Sequence, residues 1–110
     1  MRTLIYKVQK QNVIRDNTCD FSNIVRGTNN YIKLVFEWDE QWKNKAKVIS
    51  LRNAEGIETN LAFKENVVLP EVVTNGSMFS FVLYGKDTVE KIRTNREYIE
   101  QVYEVKKWRV

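Results

Sequence analysis

The sequence predicts an all-β fold, a single antiparallel β-sandwich of about eight strands. Three observations carry this. Residues 30–42 sustain a period-two alternation longer than any other in the chain, with Ile32, Leu34, Phe36 and Trp38 on one side and Tyr31, Lys33, Val35 and Glu37 on the other. Strand-like runs recur along the chain with short polar turns between them, which leaves no room for crossover helices. Aromatic residues make up 12% of the chain, and they favour strands.

Taken in order, residues 3–8 open the fold as a strand with Leu4, Tyr6 and Val8 on one side. Residues 9–12 turn, 13–15 form a second short strand, and 16–23 read as loop, with Phe21 and Ile24 plugging the core from it. Gly27-Thr28-Asn29-Asn30 is a turn immediately before the long alternating strand, which Asp39-Glu40-Gln41 ends. A buried strand over 46–51 and its return over 57–63 are joined by the turn Asn53-Ala54-Glu55-Gly56. Residues 67–69 form a short strand stopped by Pro70, which has no donor for a ladder. A single helical turn is expected over 71–74. Residues 78–84 form the second strongly apolar strand, with Phe79, Phe81 and Leu83 on one face and Val82 and Tyr84 on the other. Gly85-Lys86-Asp87 reads as a turn into 88–95.

The tail, 96–110, fits two patterns. Thr94-Asn95-Arg96-Glu97 matches a capping box for a short C-terminal helix, whereas Ile99, Gln101, Tyr103 and Val105 alternate as in a strand. The strand is preferred because Tyr, Ile and Val dominate residues 98–105.

The chain has 110 residues, which suits one domain over 1–110. Net charge is +4, with 18 Lys and Arg against 14 Asp and Glu, too mild a balance to indicate nucleic acid by itself. The nearest thing to a basic stripe is Lys43, Lys45 and Lys47, which alternation places on one strand face; it is read as a solvated face paired with Glu37, Asp39 and Glu40.

Catalytic chemistry finds few candidates. With no histidine, neither a Ser–His–Asp arrangement nor a Cys–His pair can form, and the one cysteine, Cys19, cannot make an internal disulfide. The four glycines stand apart, so there is no glycine-rich phosphate loop. Glu37, Asp39 and Glu40 are the one acidic cluster, and acids at a strand end ordinarily terminate and solubilise it. The expectation is therefore no catalytic residue, no metal, no cofactor and no small-molecule substrate. The N-terminus lacks a long apolar run, so neither a signal peptide nor a membrane span is expected, and a cytoplasmic site of synthesis is the expectation.

Of the three tryptophans, Trp38 and Trp42 read as packing and Trp108, in the basic tail, as exposed. Tyr31, Val35, Val82 and Tyr84 put apolar side chains on the second face of their strands. Together with Trp108 they are the candidate interface.

Four segments then suggest a family. Residues 30–42 (Asn-Tyr-Ile-Lys-Leu-Val-Phe-Glu-Trp-Asp-Glu-Gln-Trp), 67–73 (Val-Val-Leu-Pro-Glu-Val-Val), 79–85 and Ile92-Arg93-Thr94-Asn95 fall in an order and spacing that resembles a small β-sandwich domain of virion proteins from phages of Gram-positive bacteria. The resemblance runs from about Tyr6 to Val105. It implies an immunoglobulin-like or jelly-roll-like sandwich in baseplate, tail or head-fibre proteins. There the domain serves as a structural or attachment module located in the virion, without enzymatic activity and without defined catalytic residues. The implied partners are other virion proteins or further copies of the chain in a homo-oligomer. Two other readings stand beside it: a phage protein that binds and inhibits a host factor, and a single-stranded nucleic-acid-binding β-barrel using Lys43, Lys45 and Lys47 with Tyr31 or Tyr84 as a stacking platform.

Overall fold

In the computed structural model, which describes residues 1–105, two β-sheets pack face to face. The chain runs β1 (Arg2–Gln9), β2 (Asn12–Arg15), β3 (Ile32–Trp38), β4 (Ala46–Arg52), β5 (Glu58–Phe63), β6 (Asn66–Val68), α1 (Glu71–Thr74), β7 (Met78–Lys86), β8 (Lys91–Arg93) and β9 (Glu97–Glu100). The first sheet has the order β2-β1-β3-β6; the second has β5-β4-β7-β8, with β9 also paired to β7. The all-β sandwich expected from the sequence is therefore present, with nine strands among the described residues.

The alternating runs bury the faces their patterns select. Leu4, Tyr6 and Val8 of β1, Ile32, Leu34 and Phe36 of β3, Ile49 and Leu51 of β4, and Phe79, Phe81 and Leu83 of β7 form one core with Ile24 and Ile99. Each such side chain contributes roughly 1.5–3 kcal/mol when fully removed from water. Aromatic rings join the sheets: Phe81 meets Tyr6 edge-on at 5.2 Å and Phe36 at 5.7 Å. A row of stacked rings then runs from Tyr6 through Phe36 and Trp38 to Trp42, the last pair 5.2 Å apart. Trp42 is fully buried and donates from its indole nitrogen to the Lys10 carbonyl at 2.7 Å, so it closes one end of the sandwich.

Four local features depart from the alternation pattern or choose between its readings. β3 pairs parallel to β1, because the long loop after β2 carries the chain back to the end at which β1 begins. Arg2 holds that loop, donating to the carbonyls of Asp20 (2.8 Å) and Ser22 (2.6 Å). Gly85 is not a turn residue but lies inside β7, where a Cβ would come within 2.8 Å of the Trp42 ring. The C-terminal helix is not formed: Glu97–Glu100 is β9, and Phe79 pairs with Ile99 across the ladder. Thr94 does not cap a helix, because its hydroxyl accepts from the Leu83 N–H and its own N–H donates to the Leu83 carbonyl. The helical turn at Glu71–Thr74 forms as expected.

Candidate functional site: an open basic groove on the second sheet

Alternation along β7 and β4 decides what the outer face of the second sheet shows. Phe79, Phe81 and Leu83 point inward, so Ser80, Val82, Tyr84 and Lys86 point outward. On β4 the outward row is Ala46, Val48, Ser50 and Arg52. β5 adds Glu58 and Asn60, and β8 adds Lys91 and Arg93, because Ile92 between them faces the core. Arg96, in the link to β9, reaches over β7 and donates to the Ser80 hydroxyl at 3.0 Å. These strands form an open groove of about 700 Å³.

Its charge has one dominant sign. Among the described residues Arg52, Lys86, Lys91, Arg93 and Arg96 line the groove, against the single carboxylate of Glu58. Arg52 pairs with Glu58 at 2.8 Å, and that hydrogen bond and charge hold the Glu58 carboxyl below the ordinary range, with Arg96 adding to the effect. Among the described residues the other four cations have no carboxylate partner within ion-pair distance. Lys91 and Arg93 both stand over the Tyr84 ring, at 5.7 and 5.8 Å from its centre. A second groove of about 800 Å³, beside Trp38, carries both signs: Lys43, Lys45, Lys47 and Lys64 with Glu37 and Glu65.

The candidate interface residues do not come together. Tyr84 lines the basic groove, half-buried. Val82 shares its strand face but is fully buried, so it offers no contact surface. Val35 lies on the outward side of β3 in the first sheet, and Tyr31 sits exposed just before that strand, so both are on the opposite side of the sandwich. Trp108 lies outside the described residues.

The lysine stripe does not form either. Lys43 lies in the turn before β4 and pairs with Glu40 at 2.8 Å. Lys45 is buried; its ammonium bonds Glu90 at 2.7 Å and the Gln41 carbonyl at 2.6 Å, and lies 3.4 Å from Asp87. Lys47 faces inward, with its ammonium 4.9 Å from the centre of the Trp38 ring and donating to the Lys45 carbonyl at 2.9 Å. Of the three acids at the end of β3, Asp39 accepts from the N–H groups of Lys10 (2.6 Å) and Gln41 (3.0 Å), which fixes two turns. Among the described residues no group of three or more His, Cys, Asp or Glu side chains converges.

Sequence reasoning missed all five groove cations, Arg52, Lys86, Lys91, Arg93 and Arg96, as candidate site residues. The signal was present in Lys91-Ile92-Arg93, one apolar residue between two cations, which is the pattern of a strand with one basic face. Fold and groove together define an all-β sandwich with one open, positively charged sheet face. No family model, curated protein or solved structure matches the chain.

Proposed function

We propose that the chain is a non-enzymatic binding module that docks another protein on the outer face of its second sheet. The observation that carries this reading is the groove itself, an open furrow on the sheet face where, among the described residues, five cations meet one carboxylate. Complementary charge steers a partner to such a face and sets its orientation. The groove is open and shaped by strands, which suits a protein surface or segment. The setting is the one implied by the resemblance to virion sandwich domains: a structural or attachment component of a phage particle. The partner there is another virion protein or a further copy of the chain.

Crosslinking with a lysine-reactive reagent on purified virions, read by mass spectrometry, tests both parts. The expected result is that the chain is found in particles, with crosslinks from Lys86 and Lys91 to a second protein or copy. Absence from particles moves the module to the host-factor reading. Crosslinks confined to lysines of the first sheet, such as Lys7 and Lys33, overturn the assignment of the docking face.

A further inference from the structure

Resting on that reading, we infer that the groove takes an extended acidic segment of the partner, a run in which Asp or Glu carboxylates alternate with small or apolar residues. The first ground is an imbalance of charge that the described residues leave unresolved. Glu58 is matched to Arg52, while Lys86, Lys91, Arg93 and Arg96 find no carboxylate. Lys86 and Lys91 are moreover direct cross-strand partners between β7 and β8 and share the outward face. Like charges facing each other across a ladder are destabilising, and an incoming carboxylate relieves that cost.

The second ground is the kind of donor. Arg93 and Arg96 supply guanidinium groups, whose planar fork matches a carboxylate in two parallel hydrogen bonds. Between the cations the floor is small and partly apolar, with Ala46, Val48 and Ser50 exposing no large side chain. An extended chain places its side chains on alternate sides, so every second residue of a bound segment faces this floor and its cations.

The third ground separates a peptide from a single nucleic-acid strand. Sequence-tolerant binding of single strands uses open aromatic faces on which bases stack. Tyr84 is the aromatic residue lining the groove, and Lys91 and Arg93 already stand over its ring. Among the described residues the groove lining thus offers cations and one ring that two of them already cover; the exposed Tyr98, across from Ser80 on β9, stands outside that lining.

The test is fluorescence anisotropy with the full chain and three labelled probes: a short peptide of alternating Glu and Ala, its Gln–Ala counterpart, and oligothymidylate of similar length. The acidic peptide is expected to bind at least about tenfold more tightly than either of the others at low salt, and to weaken as salt is raised. Arg93→Glu combined with Arg96→Glu should remove that preference, whereas Lys33→Glu on the first sheet should leave it intact. Circular dichroism checks that the double variant is folded; if it is not, Arg93→Gln with Arg96→Gln replaces it, with the same loss expected. Equal binding of the acidic and neutral peptides, or full affinity in the folded double variant, overturns the inference. Oligothymidylate binding more tightly than the acidic peptide also overturns it, in favour of nucleic acid. Should Lys86 and Lys91 crosslink to a protein in virions while the acidic peptide fails to bind, the docking face stands and only the acidic segment is lost.

Discussion

Lys45 and Lys47 stand two residues apart, as do Lys91 and Arg93, yet the two pairs end in opposite circumstances. Lys45 is buried under Glu90 and Asp87, and Lys47 is turned inward against Trp38. Lys91 and Arg93 are exposed on β8 with no carboxylate partner among the described residues. The difference teaches that cation spacing in a β-protein establishes neither that the charges share an exposed face nor whether they are already neutralised. Neutralisation depends on what the turns bring alongside. Here the turn after β7 delivers Asp87 and Glu90 to Lys45, and among the described residues no carboxylate pairs with Lys91 or Arg93.

The sharpest way to break this comparison is to empty the packed end against which the first pair is held. Trp42→Ala removes a fully buried ring, its stacking on Trp38 and its hydrogen bond to Lys10, and is expected to cost about 3–5 kcal/mol. Trp38→Ala, whose ring is only half-buried, should cost less. Denaturant midpoints of the two variants decide the order. A larger loss at Trp38 would mean that Trp42 does not hold this end of the sandwich together.

A smaller effect separates the two members of the buried pair by pH. Desolvation by burial holds the Lys47 ammonium below the ordinary lysine value of 10.5. The unfolded chain therefore binds more protons in the window from the lowered value up to 10.5, and Lys47 makes stability rise with pH there. Lys45 behaves oppositely. Its hydrogen bond to Glu90 raises its pKa above 10.5, with the Asp87 charge adding to this. Its contribution is complete below the ordinary value and is lost as pH climbs through the raised one. Denaturant midpoints measured from about pH 8 to about pH 11 should thus show the alkaline gain missing in Lys47→Met and the alkaline loss missing in Lys45→Met. If both variants change the slope in the same direction, the two lysines are not in contrasting environments.

The smallest expected effect lies in the groove. Lys91→Glu should change stability by no more than about 0.5 kcal/mol, and in the favourable direction, because it turns the Lys86–Lys91 repulsion into attraction. Thermal or chemical denaturation checks this. A loss above about 1 kcal/mol would show that Lys91 is part of the structural framework and that the groove is not a surface free for a partner.

Much of the fold is legible along the chain wherever one face of a strand is buried. The inward rows of β1, β3 and β7 follow their period-two patterns, because a register slip of one residue would turn every apolar side chain into water. Gly85 misled for a specific reason. A glycine before Lys-Asp has the local chemistry of a turn, and the need for close approach comes from Trp42, far away in sequence. The groove was only half legible. Tyr84 was found from its outward position, but Arg96 lies in an irregular link that no periodicity describes, and only the Ser80 hydrogen bond shows where it goes.

By itself the sequence determined the class of the fold, the inward faces of the long strands, the packing role of Trp42 and the helical turn after Pro70. Each of these depends on local periodicity or on one residue's backbone chemistry, which neighbours in sequence are enough to express. Only the tertiary structure decided that β3 runs parallel to β1, that the preferred C-terminal strand is confined to Glu97–Glu100, and that Tyr31 and Val35 lie across the sandwich from Tyr84. It also decided which cations have carboxylate partners within the fold and, among the described residues, which have none. These outcomes rest on pairings between residues distant in sequence. A charge or an apolar face acquires its meaning from whatever the fold sets opposite it, and a single chain of letters carries that only once it is closed on itself.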